Sequence, residues 1–278
     1  MTAKLVRWSG KLLSRLKKLF GMKPQEGPDP RPKEYFDQFH HRTRTQEPDC
    51  YVYGTIHVLV FFGIPFFRYT CVGLENVPES GPVILAPNHF SFADHFLLAV
   101  FLRRIVQFMA KSQMFKPPWE KIYTHGGTFP VRRRLKDEET FITAKTILEK
   151  EKGTVAMYCE GGRSRTGKIS KEAKPGIGRL TLESGVAVVP VAIHGSNKLR
   201  KWWDPRLPPI TVVFGLPTYY GFIENPSREQ QQFVADAILH EIRELHENLE
   251  RPAGWLREWV ANGVDMVFEK ACAKLENS

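Results

Sequence analysis

Cysteine is scarce in this chain: four in 278 residues, Cys50, Cys71, Cys159 and Cys272, far apart and forming no CxxC pair. That spacing excludes a disulfide framework and a sulfur-rich zinc site, and it fits a reducing compartment. A secretory leader is not expected either, because the basic amino terminus shows no long apolar core followed by a small-residue cleavage site. No internal repeat occurs, and no recognisable nucleic-acid module accompanies the basic residues, so a nucleic-acid partner is not expected. Nucleotide hydrolysis through a P-loop is discounted too. Gly162 to Lys168 spells G-x-x-x-x-G-K, but Ile169 stands where Ser or Thr must follow, and Pro175-Gly176 interrupts the helix such a loop must open into.

What the chain has in excess is positive charge. A formal net charge of +10 and a pI near 9.4 point to an anionic partner: nucleic acid, anionic lipid or a phosphorylated substrate. In residues 1–22, Leu5, Trp8, Leu12, Leu16 and Leu19 recur at three- and four-residue intervals among Lys4, Arg7, Lys11, Arg15, Lys17 and Lys18. This reads as a basic amphipathic helix suited to an anionic membrane interface, or one that docks on its own domain. Residues 23–49 are rich in proline and charge and read as a linker with a short helix around Glu34 to His41. Within 50–69, Cys50 to Phe67 runs 18 residues without a formal charge. That length sits at the lower limit of the ~20 residues of a membrane span, and Gly54, His57, Gly63 and Pro65 interrupt it, so a shallow or re-entrant membrane segment, a clean span and a buried helix all fit.

Short apolar runs then alternate with helical ones. Val83 to Ala86, Val106 to Ala110, Gly153 to Tyr158, Val186 to Ile193 and Thr211 to Phe214 read as strands; Phe92 to Leu102, Asp137 to Glu149 and Ile177 to Glu183 read as helices. Alternation of this kind predicts an α/β domain over residues 70–218, a mixed, largely parallel sheet flanked by helices. Residues 219–278 read as a helical extension, with one amphipathic helix from Ser227 to about Arg251 and another from Trp255 to Leu275.

The stretch Asn88-His89-Phe90-Ser91-Phe92-Ala93-Asp94 places a histidine and a carboxylate five positions apart. Residues so spaced do not share a helical face, so a turn must intervene. Pro87 and the N-cap candidate Ser91 suggest a strand, a turn carrying His89, then a helix beginning near Ser91, with Asp94 folding back toward the imidazole. Such a pair is the base half of a nucleophile-activating triad. Ser91-x-x-Asp94 also approximates a capping box, in which the acid merely caps backbone amides.

Further along, Glu160-Gly161-Gly162-Arg163-Ser164 follows a strand end, where α/β folds place ligands. Two glycines expose backbone amides, Arg163 and Arg165 supply planar forks suited to phosphate oxygens, and Glu160 suits a substrate hydroxyl or an arginine. An exposed turn with solvated charges has the same composition. Gly127 to Arg134 adds a close turn backed by Arg132, Arg133 and Arg134, and Val189 to Ile193 is an apolar strand with an internal proline.

Taken together and in this order, the four stretches resemble the PlsC-like glycerolipid acyltransferase family. Asn88-His89-x-Ser91-x-x-Asp94 matches its NHxSxxD block, Gly127-Thr128-Phe129-Pro130-Val131-Arg132-Arg133 is similar to its second block, Glu160-Gly161-Gly162-Arg163-Ser164 matches EGxRS, and Val189 to Ile193 the fourth. Arg132 departs from the acid often found before the second-block arginine. The resemblance implies that His89 deprotonates an acceptor hydroxyl, that Asp94 orients the imidazole, and that Arg133 and Arg163 hold the acceptor phosphate. Glu160, Gly161, Gly162 and Ser164 would position the acceptor's glycerol. It further implies a lysophosphatidic acid acceptor, an acyl thioester donor on coenzyme A or acyl carrier protein, no metal or other cofactor, and a site on the cytoplasmic face of an anionic membrane. Another lysophospholipid, a glycolipid acceptor, or a non-catalytic anionic-lipid-binding role are the alternatives.

Overall fold

In a computed structural model, the structure describes residues 27–63, 69–133, 135, 137–164, 166–201 and 209–250. The expected helices within 1–22 and from Trp255 to Leu275, and Arg165, lie outside them.

Seven strands make one sheet: β1 (Tyr69–Val72), β2 (Val83–Pro87), β3 (Gln107–Lys111), β4 (Thr128–Val131), β5 (Thr154–Ala156), β6 (Ala187–His194) and β7 (Ile210–Phe214), in the order β1-β7-β6-β2-β5-β3-β4. Every neighbouring pair is parallel except β6 and β7. The sheet is thus mixed and largely parallel, as the alternation predicts. β2 lies between β5 and β6, and all five of its residues are buried. Its side chains alternate between the two faces, as strand geometry requires. Ile84 and Ala86 join a core with Ile147, Ile177, Leu180 and Ile238, while Val83 and Leu85 join another with Leu97, Leu98, Phe108 and Val212.

Helices α1 (Glu34–Thr45), α2 (Cys50–Gly63), α3 (Asp94–Ala99), α4 (Trp119–His125), α5 (Glu138–Leu148), α6 (Gly176–Ser184) and α7 (Arg228–Glu247) surround the sheet. The short helix expected around Glu34 to His41 is present and extends to Thr45: Phe36, Phe39, His40 and Thr43, at the three- and four-residue spacing of a helix face, are buried. Phe36 and Phe39 pack with Ala110 and Phe115, so α1 is docked on the domain. Likewise α7 belongs to the domain rather than to an extension, since Val234, Ile238 and Ile242 fill the core against α6 and β6. Its start is fixed by a capping box in which the Ser227 Oγ accepts from Gln230 N and Gln230 Oε1 accepts from Ser227 N.

α2 packs against α3 and α4. Among the described residues, no helix is long and apolar enough to cross a membrane. Pro190, inside β6, falls at a break between the bridge joining Val188 to Thr218 and the antiparallel ladder that begins at Val191, where a missing N–H costs least.

Candidate active site

The parallel strands β2, β4 and β5 end toward the same edge, and the three candidate motifs leave from those ends. β2 runs into Asn88, whose side chain bridges to the neighbouring strand: Nδ2 donates to Ile193 O (3.0 Å) and Oδ1 accepts from Ile193 N (2.6 Å). With its start pinned, the next residue turns inward. His89 Nδ1 lies 2.9 Å from Asp94 Oδ2, and both side chains are buried.

The same Oδ2 accepts from the amides of Phe90 and Ser91, each at 2.7 Å. The capping reading and the imidazole reading of Asp94 are therefore both realised in one oxygen. The helix begins at Asp94 and not near Ser91, and Ser91 Oγ accepts from Ala93 N (3.2 Å) in the turn that precedes it.

Since Asp94 can only accept in its ionised form, Nδ1 carries the proton and Nε2 presents its lone pair. Burial pushes the His89 pKa below its ordinary value; Asp94 opposes the shift, and the positive fields of Arg163 and Arg133 add to it. A neutral imidazole with a fixed tautomer results, which is the state a general base requires.

Glu160 supports the turn from behind. Oε1 accepts from His89 N (2.8 Å) and Oε2 from Ser170 N (3.0 Å), and burial raises its carboxyl pKa against those two amides. Ser164 N donates to His89 O (2.8 Å), so two residues of the glycine-rich loop grip the histidine backbone. The Ser164 hydroxyl pairs with that of Thr166 (3.1 Å). Gly161 sits at φ 63°, and a Cβ there would meet Lys174 Cγ at 2.9 Å, so both conformation and space favour glycine.

The two consecutive arginines after β4 part company. Arg132 turns away from the histidine: its Nη2 donates to Arg31 O (3.1 Å), and its guanidinium lies 5.7 Å from the Phe36 ring centroid. Arg133 faces the glycine-rich loop, with Nη1 3.9 Å from where a Cβ on Gly162 would stand. Burial and the charge of Arg163 depress its pKa, the signature of two guanidiniums sharing one region. The departure at Arg132 thus falls on the side that holds α1.

Two side chains that touch the imidazole and one that holds the turn behind Glu160 are not singled out by spacing. The Tyr158 ring stacks on the imidazole (centroids 3.9 Å apart), His95 meets it edge-on (5.4 Å), and Arg243 of α7 hydrogen-bonds the carbonyls of Ser170 and Lys171. Tyr158 stands at the end of the strand expected over Gly153 to Tyr158; the others become visible through α3 and α7 packing. His95 also lines an apolar cavity of about 330 Å³ together with Ile56, Phe96, Ala99, Trp119 and Ile122. Among the described residues, no group of three or more His, Cys, Asp or Glu could hold a metal ion.

Residues 68–194 match the family model described as Acyltransferase. The chain is 30% identical over 140 residues to a chloroplastic 1-acyl-sn-glycerol-3-phosphate acyltransferase of Arabidopsis thaliana, covering 49% of this chain and 38% of that protein. It is 24% identical over 127 residues to the 1-acyl-sn-glycerol-3-phosphate acyltransferase of Borreliella burgdorferi, covering 45% and 50%. The chain therefore spans half or less of the length of these curated relatives. In fold it is similar to the crystal structure of the 1-acyl-sn-glycerophosphate acyltransferase PlsC from Thermotoga maritima, with a TM-score of 0.57 and 21% identity over 79% of this chain and 90% of that one.

Proposed function

We propose that the chain is a PlsC-like acyltransferase, supported by the match of residues 68–194 to the Acyltransferase family model and by its likeness to 1-acyl-sn-glycerol-3-phosphate acyltransferases. It transfers an acyl chain from a thioester of coenzyme A or acyl carrier protein to the free hydroxyl of lysophosphatidic acid. The observation that carries this reading is the buried His89–Asp94 pair at 2.9 Å, set beside Arg133 and Arg163.

The acceptor's phosphate binds between Arg133 and Arg163, where guanidinium forks match phosphate oxygens and the mutual repulsion that depresses Arg133 is relieved by the anion. That fixes its hydroxyl near His89. Nε2 takes the hydroxyl proton as the oxygen attacks the thioester carbonyl, and Asp94 stabilises the imidazolium. As the carbon–sulfur bond breaks, the imidazolium returns the proton to the leaving thiolate. Phosphatidic acid and a free thiol are the products, with no acyl-enzyme and no metal in the path. Positioning and charge stabilisation supply the acceleration.

The cavity lined in part by His95 suits the acyl chain, its wall being aromatic and aliphatic. α2 carries no charged residue, and Tyr51 and Val58 on it are 82% and 54% exposed. Both features suit a surface laid against lipid, which supports a membrane-associated enzyme drawing its acceptor from the bilayer.

The deciding experiment is thioester consumption with lysophosphatidic acid in mixed micelles, comparing the intact chain with His89→Ala. The variant is expected to lose at least about a hundredfold in kcat while still folding and binding lipid, the usual contribution of a general base. Equal rates in the two proteins would remove His89 from the mechanism. A panel of other lysophospholipids and glycolipids, run alongside, identifies the acceptor.

A further inference from the structure

The chemistry above makes no use of Tyr158, which is in direct contact with its central group. The residue leaves β5 two positions before Glu160, and its ring lies on the His89 imidazole with planes 25° from parallel. Its hydroxyl is buried and, among the described residues, has no hydrogen-bond partner. Burial drives its pKa well above the ordinary phenol range, so it stays un-ionised. A buried hydroxyl without a partner adds nothing to the packing of this side chain, whereas its ring is in stacking contact with the imidazole.

That ring has a use. In the resting protein, burial and two arginines oppose charge on His89, yet during transfer the imidazole becomes a cation. The groups facing it are Asp94 and His95 from α3, Tyr158, Glu160 and Arg163 from the segment after β5, and Arg133 from the segment after β4. Asp94 acts in the ring plane, at Nδ1. Glu160 reaches only the backbone amide. His95, with its pKa pushed down to about 4 by burial, stays neutral and adds no second charge. The face of the imidazole is left to Tyr158, whose π-electrons carry negative potential and favour a cation stacked upon them.

We propose that Tyr158 is a positioning residue for His89: its ring face holds the imidazole plane so that Nε2 meets the acceptor hydroxyl, and it favours the imidazolium formed during transfer. The proposal rests on the reading of His89 as the base.

The test places phenylalanine, pentafluorophenylalanine or leucine at position 158. It follows the His89 imidazole by NMR titration, assigned with His89→Asn, alongside the kinetics of acyl transfer. Phenylalanine is expected to keep both the His89 pKa and kcat near the native values. Pentafluorophenylalanine has the same outline with its ring potential reversed; it should lower the His89 pKa by about one unit and kcat about tenfold, with KM little changed. Leucine leaves a gap that can unfold the protein, so the fluorinated ring decides. Identical His89 pKa values with the plain and fluorinated rings would overturn the proposal. So would a kcat that falls as far with phenylalanine as with the fluorinated ring, since the hydroxyl would then be the acting group. The titration needs no substrate. If the native protein transfers nothing while the ring series still moves the His89 pKa, acyl transfer is the reading that fails and the stacking role stands.

Discussion

One oxygen of Asp94 accepts three hydrogen bonds, from His89 Nδ1, Phe90 N and Ser91 N, so this carboxylate both builds the turn and tunes the imidazole. The two tasks separate on substitution. Asp94→Asn retains an oxygen for the amides but loses the charge that fixes the tautomer and balances an imidazolium. It is expected to cut kcat by about 10³ to 10⁴ while the protein melts close to the native temperature. Asp94→Ala also strips two buried amides of their acceptor and should cost about 1 to 3 kcal/mol for each. The pH profile follows from the same geometry. Because the His89 pKa is depressed below 6.5, the base form is already dominant at neutrality, and kcat/KM should rise only on the acid side and then stay level from about pH 7 upward. A profile still climbing at pH 8 would assign the base to another group. The arginines make a second contrast. Arg133→Ala should raise KM for the phosphorylated acceptor by tenfold or more, consistent with about 1.5 to 3 kcal/mol for a charge-assisted hydrogen bond. Arg132→Ala, which loses its bond to Arg31 O, should instead lower the melting temperature and leave KM alone.

At the scale of elements, the turn that carries His89 depends on helices that cross closely. A Cβ on Gly178 of α6 would stand 1.9 Å from Gln231 O of α7, inside any allowed contact. Gly178→Ala must push the two helices apart. The expected loss is about 1 to 3 kcal/mol, read from urea unfolding, and activity should fall with it because Arg243 of α7 grips the Ser170–Lys171 turn whose amide holds Glu160. An unchanged midpoint would mean that α7 is not held at that crossing. The same elements explain what the sequence made legible. Long apolar strands such as β2 and β6, bounded by Pro87 and Gly185, announce themselves by composition, and the strand–turn–helix around His89 follows from Pro87 and the five-residue spacing. β4 did not read as a strand because its four residues lie inside a motif dominated by glycine and arginine, and β1 is equally short. α1 is legible in part: a short helix is expected around Glu34 to His41 and the helix runs on to Thr45, flanked by Pro28, Pro30, Pro32 and Pro48, which do not enter it. Tyr158 carries no local signal, since it meets His89 only because β5 pairs with β2 in one register, Val83 opposite Thr154; His95 meets it through the turn into α3. Pairing of that kind is a property of the sheet and leaves no mark on neighbouring residues.

For the whole molecule the governing quantity is a net charge of +10, far more than a two-arginine phosphate site requires. Two forces can hold such a protein on a bilayer, and their sizes separate them. Exposed Tyr51 and Val58 offer only a few kcal/mol between them, at about 25 cal/mol per Å² of apolar area removed from water. Each lysine or arginine near an anionic surface contributes about 1 kcal/mol, so six or more of them dominate at low salt. The apolar term does not depend on ionic strength, whereas the electrostatic one collapses as the Debye length shrinks from about 14 Å toward 4 Å between roughly 0.05 and 0.5 M salt. Co-sedimentation with vesicles should therefore show strong binding to a third-anionic bilayer that falls by more than about tenfold over that range. Binding to a neutral bilayer should be weak and flat. Equal binding to the two bilayers at every salt concentration would place the whole attachment on α2 and its apolar surroundings. The positive charge would then serve only to gather anionic acceptor and donor toward Arg133, Arg163 and His89, an effect that appears in kcat/KM and not in the amount of protein bound.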